Sequence, residues 1–532
     1  MDLSQIALMN KFLGILVVVG AVVLAWSSGM LRHVGDLPYS VQEWRQRDAL
    51  SQTLRYLEPD RGFFEPAIHF QHAQDGRGAG EFTGLYYVNA LLWKAWGKPV
   101  PWTLRWTQGV FLVLGMLALA RAVAHWTRAP GVGWTAALAV FASPLIQFYG
   151  LNYLVNHSAL MAVFMAWWFS ARSEQPGRNA RQELLAAAAM LAFAGLLRPT
   201  MLIGGLPVLV RWWRTRPTSW GWAGLCGGGA VAVVLAWVLW AKSYNAAHDS
   251  TYFLTTVRPY WSTPDIQAVW LELVTVRLQD LFDVNVRWGA LALGAITLVK
   301  ARRERGRFQH GLLLTLLALL VYGCLWFSNL DVHDYYLLEA LLAVPLFVTW
   351  VADVWEVERW RCWALGVFAF VFAYQAVHSV ARNQMKWGRT RGVLVERLVA
   401  EEERAEWRWF HWDQRERWSA VSELPAQLDT WGVPDSALVL SVPDGSPNVS
   451  LTRMERMGFT SLYEEDLHAG ERVAWAVSRG ATYLVVNQPA LLEQGDWGPW
   501  LDVPVGVHRN VQVFDLRAVV EGGGDKLSAD AD

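Results

Sequence analysis

Two acidic side chains and an arginine lie in one polar stretch near the N-terminus. Arg45 precedes Asp48 by three residues, and Glu81 follows in the same stretch, which runs from residue 31 to 106 between apolar segments. A carboxylate can take a proton from an attacking hydroxyl, and a guanidinium can neutralise a phosphate as it leaves. These residue types are the ones that group transfer away from a phosphate would need.

Other residues are candidates for the same chemistry. Arg198 and Arg258 are further cations that could meet a phosphate. His69 and His72 have the spacing of one helix face and could bind a metal, but no third ligand is evident, and a solvated loop is the alternative. No metal site is predicted. A divalent metal held by the carboxylates is left open as a cofactor.

The composition indicates the environment in which these groups must be positioned. Of the 532 residues, 54% are hydrophobic and 17% are charged, and the apolar residues are gathered in long runs. This is typical of an integral membrane protein. The 33 tryptophans fit the same class, because indole rings settle at the level of the lipid headgroups. Membrane lipids are expected partners, and nucleic acid is not.

The apolar runs predict about eleven membrane spans. Each run is long enough to cross, or nearly to cross, a hydrocarbon core of about 30 Å. The runs cover residues 12–26, 104–120, 132–149, 153–171, 183–197, 200–210, 221–241, 286–299, 311–327, 335–352 and 363–380.

The charges of the connecting loops predict the orientation. With the N-terminus in the cytoplasm, the strongly basic short loops fall on one side, as the positive-inside rule requires. Two such loops contain the arginines at 211–216 and the basic residues at 300–307. Asp48, Glu81, Arg198 and His333 then face the other side. The expected location is the plasma membrane, the inner membrane of a bacterium, with these groups extracytoplasmic.

The chain divides into six predicted regions. The region 422–520 contains short buried strands at 437–442 and 481–486, with helices at 450–458 and 469–479, which predicts a small α/β domain. The regions are a first transmembrane helix (1–30), a catalytic extracytoplasmic loop (31–103), a transmembrane bundle (104–381), an interfacial amphipathic helix (382–421), the extracytoplasmic α/β domain (422–520) and a disordered tail (521–532).

The sequence contains no nucleotide-binding fingerprint. The Gly522-Gly523-Gly524 run is not flanked by the strand and helix that a phosphate-binding loop needs. An enzyme that works outside the cytoplasm cannot depend on nucleotide sugars. A sugar donor there would be carried by a lipid phosphate.

Several motifs occur in the order found in one family. The chain resembles the GT-C superfamily of polyprenyl-phosphate-dependent glycosyltransferases, which includes protein O-mannosyltransferases and the aminoarabinose transferases of lipid A. The family's proline after Glu-Phe is replaced here by Thr83-Gly84, which is expected to loosen the loop. The matching segments are Arg45 with Asp48, Pro66, Glu81-Phe82-Thr83-Gly84-Leu85-Tyr86, Ala95-Trp96-Gly97, Arg198-Pro199, His333-Asp334-Tyr335-Tyr336-Leu337-Leu338 and Asp444-Gly445-Ser446-Pro447-Asn448.

This resemblance implies a multi-pass α-helical membrane protein of the GT-C type with a small C-terminal extracytoplasmic α/β domain. It implies a glycosyltransferase that moves a hexose or pentose from a polyprenyl-phosphate sugar to a lipid, glycan or protein acceptor. Asp48 would be the base, and Glu81 would orient the acceptor or support a metal. The residues implied in substrate binding are Arg45, Tyr86, Arg198, Arg258, His333, Asp334 and Tyr335.

Plainer interpretations exist for single residues. Asp48 could cap or solvate an interfacial helix, Arg258 could extend its charge towards the headgroups, and His333 could be a hydrogen-bonded interfacial histidine. For the whole chain, a polysaccharide ligase or polymerase and a transporter of lipid-linked sugars are the alternatives. A transporter would show paired halves or charged residues within its spans, and neither is evident in the sequence.

Overall fold

The chain forms two compact units. The computed structural model describes residues 3–71, 75–250, 257–301, 308–355, 361–462 and 467–522. The helical unit comprises Met1–Asp36, Trp102–Leu239 and Thr255–Arg404, and the α/β unit comprises Leu37–Pro101, Trp240–Leu254 and Ala405–Asp532. Most residues of 31–103 and 422–520, which were predicted to form separate regions, therefore belong to one compact unit.

The helical unit contains a helix at each of the eleven predicted apolar runs. Proline divides one of them, the run 132–149, before Pro144, and a 3-10 turn begins at Pro199, between two other runs. The α-helices are Leu3–Ser27, Trp102–Thr127, Pro130–Phe141, Pro144–Tyr149, Asn156–Arg172, Ala180–Leu197, Gly205–Thr215, Trp220–Ala247, Ile266–Glu272, Leu278–Leu281, Val284–Ala301, Gln309–Leu325, Ala343–Val354, Arg361–Lys386 and Val393–Leu398, with 3-10 turns at Pro199–Gly204, Tyr260–Ser262, Phe327–Asn329 and Asp334–Leu342 and a π-helical turn at Leu273–Arg277.

Helix length and composition confirm an integral membrane protein. Within the described residues, four helical segments are long and apolar enough to cross a membrane, and a fifth span results if a pair bent by 86° counts as one. Three shorter apolar helices accompany them. The number of spans is therefore not fixed at the predicted eleven. The four are Trp102–Thr127, Ala180–Leu197, Trp220–Ala247 and Asp334–Val354, and the bent pair is Ile266–Leu281 with Val284–Ala301.

Small residues allow the helices of this unit to approach closely. A Cβ on Gly115 would lie 2.6 Å from the sulfur of Met161, and one on Gly133 would lie 2.9 Å from the Cβ of Ala124. Helices in a membrane gain stability mainly from such packing, because the surrounding lipid is as apolar as leucine.

The α/β unit is built on a sheet of five strands: β1 (Leu438–Val442), β2 (Met457–Thr460), β3 (Tyr483–Val486), β4 (Pro504–His508) and β5 (Val511–Asp515). Their order in the sheet is β2-β1-β3-β5-β4. β1 is parallel to β2 and β3, and β5 is antiparallel to β3 and β4. Apolar side chains such as Val439 and Leu440 alternate between clusters on the two faces of the sheet. The helices of this unit are Glu43–Arg55, Gly84–Trp96, Glu401–Thr430, Val449–Arg453, Ala469–Ser478 and Arg517–Gly522, with 3-10 turns at Pro489–Glu493 and Gly498–Leu501.

Two sequence-based boundaries are wrong. The helix predicted at 450–458 ends at Arg453, and β2 follows from Met457. The amphipathic helix predicted at 382–421 is replaced by the end of one helix, a short second helix, and a third that begins at Glu401 and runs to Thr430. His72 and residues 523–532 of the predicted tail lie outside the described residues.

Candidate functional site

The helix Glu43–Arg55 carries the first candidate residues and buries an unusual set of side chains. Ten of its 13 residues are buried, and of these only Ala49 and Leu50 are apolar. Burying polar groups costs free energy unless hydrogen bonds replace the lost water. A helix with this pattern depends on specific partners for its polar groups.

Asp48 is fully enclosed within the α/β unit, and each of its carboxylate oxygens accepts a hydrogen bond. Arg45 Nη1 donates to Oδ2 over 3.2 Å, and Asn448 Nδ2 donates to Oδ1 over 2.8 Å. The side chain has no exposed surface. The interpretation of Asp48 as a solvated cap of an interfacial helix is therefore wrong.

Glu81 is bound to the same arginine. Arg45 Nη2 donates to Oε2 of Glu81, and the hydroxyl of Tyr86 donates to Oε1 over 2.5 Å. Burial raises the pKa of Tyr86 well above its ordinary value, and the charge of Glu81 raises it further, so Tyr86 is a hydrogen-bond donor at neutral pH. Glu81 keeps 14% of its side-chain surface exposed, whereas Asp48 keeps none.

The backbone around Glu81 is held on both sides. Asn245 donates to the carbonyl of Ala79 over 2.8 Å and accepts from its N–H over 2.6 Å. After Glu81, the hydroxyl of Tyr56 donates to Thr83 Oγ1 over 2.9 Å. A Cβ on the next residue, Gly84, would come within 2.9 Å of the ring of Phe82.

These contacts fix the segment that the Thr83-Gly84 replacement was expected to loosen. Thr83 supplies a hydroxyl that proline would lack, and Gly84 leaves space for the ring of Phe82. The segment therefore has local contacts in place of the family's proline, and its looser geometry stays a prediction.

The resulting arrangement is a pair of carboxylates joined by one guanidinium. A carboxylate so held can accept a proton, and the guanidinium can turn to a more strongly charged anion. The two carboxylates contact a cation already, and the described residues contain no group of three or more His, Cys, Asp or Glu side chains that could hold a metal. These residues do not fit a metal site.

Arg198 in the helical unit is engaged by a buried glutamate. Its Nε donates to Glu339, which is fully buried, and its Nη2 donates to the hydroxyl of Tyr322 over 3.0 Å. The guanidinium also lies 4.5 Å from the ring centroid of Tyr336 and 5.7 Å from that of Tyr335. The structure thus brings Arg198 together with the segment that carries the predicted His333 and Tyr335.

That segment combines aromatic rings with a buried charge. The rings of His333 and Tyr336 are stacked with their centroids 5.4 Å apart. Asp334 is fully buried, accepts from the hydroxyl of Tyr149 over 2.5 Å and pairs with Lys386 Nζ at 3.0 Å. Asp334 therefore serves the interior of the helical unit, whereas a substrate-binding residue needs access.

Lys386 belongs to a buried charge network that sequence reasoning missed. It also contacts Asp280 at 3.2 Å, and Asp280 accepts from Arg382 Nε over 3.0 Å. Glu339, inside the predicted run 335–352, shows that a charged group does occur within a predicted span, contrary to the expectation. The available signal was an acidic residue inside the apolar run 335–352, since an ionisable residue at membrane depth requires a partner.

Arg258 differs from the other candidate cations because its side chain is exposed. Its carbonyl accepts from the N–H of Ser328 over 3.3 Å, which ties its backbone to the turn that precedes the His333 segment. Of the three predicted cations, Arg45 and Arg198 are paired with carboxylates, and Arg258 has the accessible guanidinium.

Comparison with known proteins identifies the fold. No protein-family model matches the sequence, and no curated protein matches it significantly. Among solved structures, ArnT from Cupriavidus metallidurans bound to undecaprenyl phosphate aligns with a TM-score of 0.59 and 14% identity, over 95% of this chain and 98% of ArnT. ArnT in the apo state gives a TM-score of 0.57 with 15% identity over the same shares.

A second enzyme aligns less extensively. Arabinofuranosyltransferase AftD from Mycobacteria gives a TM-score of 0.50 with 15% identity, over 93% of this chain and 40% of AftD. AftD is described as an arabinofuranosyltransferase, and ArnT was solved with undecaprenyl phosphate. The chain therefore has a fold similar to that of ArnT over nearly its whole length.

Proposed function

We propose that this protein is a membrane glycosyltransferase that transfers a sugar from a polyprenyl-phosphate donor to an acceptor on the extracytoplasmic face. The observation that carries the proposal is the pair of carboxylates, Asp48 and Glu81, joined by Arg45. The fold is similar to that of ArnT, which was solved with undecaprenyl phosphate, and a lipid phosphate of this chemical class is the donor carrier proposed here.

The proposed reaction is a displacement at the anomeric carbon of the donor sugar. The acceptor hydroxyl attacks this carbon, the bond from carbon to the phosphate oxygen breaks, and its electron pair stays on the lipid phosphate. Asp48 takes the proton of the acceptor hydroxyl as general base. Glu81 orients the acceptor, since its carboxylate retains exposed surface and Tyr86 fixes its direction.

Access to Asp48 requires Arg45 to move. The guanidinium is shared between two carboxylates, and a lipid phosphate gains negative charge as the sugar departs. An anion of growing charge competes for the same donors, because charge-assisted hydrogen bonds strengthen with the charge of the acceptor. In the proposal, turning of Arg45 towards the phosphate uncovers the carboxylate that accepts the proton.

The residues of the helical unit are assigned to the donor. Within this unit, His333 and Tyr335 supply ring surface for the donor, and Arg258 supplies an accessible positive charge. Arg198 holds the segment through Glu339 and the stacked tyrosines, and Asp334 anchors it through Lys386. Arg198 and Asp334 are therefore proposed as structural supports of the donor pocket, which revises their predicted direct roles.

The test is sugar transfer by the purified protein in nanodiscs from a panel of synthetic polyprenyl-phosphate hexoses and pentoses, with the corresponding nucleotide sugars as matched controls. Transfer or donor hydrolysis with a lipid-linked sugar, and none with the nucleotide sugars, is the expected result. Turnover of nucleotide sugars alone would refute the proposed donor class.

Two further outcomes decide between the alternatives. Folded protein that turns over no donor but moves labelled donor across vesicle membranes would establish a transporter. Transfer of a preassembled polysaccharide, without transfer of single sugars, would establish the ligase or polymerase class.

A further inference from the structure

Asn448 occupies a distinctive position in the sheet of the α/β unit. It follows the end of β1, which lies between the parallel strands β2 and β3, and so belongs to the carboxyl edge of the parallel part of the sheet. Ligand-binding and catalytic groups are commonly found at such a point in α/β sheets. Here the amide of Asn448 contacts Asp48, which is 400 residues away in the sequence.

The orientation of this amide is determined by its other partners. Its Oδ1 accepts from the N–H of Phe70 over 3.2 Å and from the hydroxyl of Ser51 over 3.2 Å. Because a backbone N–H can only donate, the oxygen must face Phe70, and Nδ2 is left to donate to Asp48. Asn448 itself is fully buried.

The loop before Asn448 is equally constrained. Asp444 Oδ1 accepts from the N–H of Ser446 over 2.9 Å, and its Oδ2 accepts from the N–H of Ser450 over 2.8 Å. The N–H of Asp444 donates to Ser461 Oγ over 2.8 Å. The segment 444–450 is thereby fixed at the end of β1, with Asn448 inside it.

We infer that Asn448 is a positioning residue for the base, and that one task of the C-terminal sheet is to complete the carboxylate site by supplying it. This inference rests on the proposed function, because it assigns Asp48 the role of general base. Nδ2 holds Oδ1 of Asp48 while Arg45 turns away, so the carboxylate keeps its direction when its cation departs.

The physical effect of this contact is on the charge state of Asp48. A hydrogen bond donated to a carboxylate favours the charged form, which is the form that a general base needs. Among the contacts that the described residues make, the charged group at Asp48 is Arg45 on its own helix, and Glu81 and Tyr86 lie beyond this arginine. These three are unchanged in the variants below.

The test compares the pH dependence of kcat/KM in two variants of one position. Asn448→Ala removes the donor, and Asn448→Asp keeps the acceptor for Phe70 and Ser51 but places a second carboxylate opposite Asp48. The acid limb of the profile is expected to move to higher pH by about one unit in Asn448→Ala and further in Asn448→Asp.

Ser450→Ala is the matched control. Ser450 is buried on the short helix that begins directly after Asn448, and its hydroxyl interacts with the carboxylate of Asp444. Its profile should coincide with that of the wild type. Variants of Asn448 that lower the amount of active enzyme but leave the acid limb in place would overturn the inference, because that is the result of a purely structural role.

A measurement without turnover separates this inference from the proposed function. Thermal unfolding is measured for Asn448→Ala, Asp48→Ala and the double variant. The double variant is expected to lose clearly less free energy of unfolding than the sum of the losses in the two single variants. Strictly additive losses would refute the contact as the source of the effect. Wild-type protein that turns over no lipid-linked sugar would instead refute the proposed function.

Discussion

Replacing Glu339 by glutamine should strongly destabilise the helical unit. Glu339 is fully buried and is the carboxylate partner of Arg198, whose other donor reaches the hydroxyl of Tyr322. Glu339→Gln keeps the volume of the side chain but leaves the guanidinium without its counter-charge. Breaking a buried ion pair from one side costs about 3–5 kcal/mol.

The same structure predicts that removing both charges is tolerated. In Arg198→Met/Glu339→Leu neither charge of this pair is left buried alone, and apolar replacement of a buried pair is often neutral or stabilising. The double variant should therefore recover most of the stability that Glu339→Gln loses. It should also retain sugar transfer, because Arg198 is assigned to support of the segment.

The assay is unfolding of the three proteins in one detergent, followed by transfer measurements on the folded fractions. A loss below about 1 kcal/mol for Glu339→Gln would refute the buried ion pair, since exposed pairs contribute that little. A double variant that is stable but inactive would refute the supporting role and return Arg198 to the lipid phosphate.

Three more predictions concern the α/β unit. Gly458→Ala should destabilise this unit by at least about 3 kcal/mol, because at a φ of +151° a Cβ would lie 2.6 Å from the backbone nitrogen of Val439. Gly445→Ala is the control, since a Cβ there meets no atom within 4 Å and should be tolerated, and thermal unfolding compares the two variants. Burial and a nearby guanidinium lower the pKa of His69 to about 3. The free energy of unfolding is therefore at its full value above pH 6.5, where the imidazole of the unfolded chain is also neutral, and it falls by about 1.4 kcal/mol per pH unit below that. His69→Gln should flatten this slope, and an equal slope in the variant would contradict the prediction. Gln52→Leu should raise the free energy of unfolding by about 1–3 kcal/mol, since both polar atoms of this buried amide lack hydrogen-bond partners in the described chain. A lower melting temperature in the variant would show that the amide does form hydrogen bonds.

The sequence predicted the membrane class and the groups that meet at Arg45. Apolar runs of spanning length indicate helices wherever they occur, and the spacing of Arg45 and Asp48 is that of one helix face. Tyr86 likewise follows Glu81 closely enough to reach it. These two pairs are near in the chain, which a linear pattern can show, whereas Arg45 and Glu81 are 36 residues apart and their contact is seen only in the fold.

Contacts between distant segments could not be predicted in the same way. Asn448 was noticed only as part of a family-like segment, and nothing in the linear pattern pairs it with Asp48. β2 has only four residues and follows a helix of five, so neither gives a measurable period. The partner of Arg198 was missed because Glu339 stands inside an apolar run whose overall composition hides one charge.

The most direct test of the central proposal is the rate of sugar transfer from a lipid-linked donor by Asp48→Asn and Glu81→Gln, measured at saturating donor on protein with wild-type melting behaviour. If Asp48 is the base, Asp48→Asn should lower kcat by about 10²–10⁴-fold, and Glu81→Gln should act mainly through the KM of the acceptor. Wild-type kcat in Asp48→Asn would contradict the account and would move the base to Glu81.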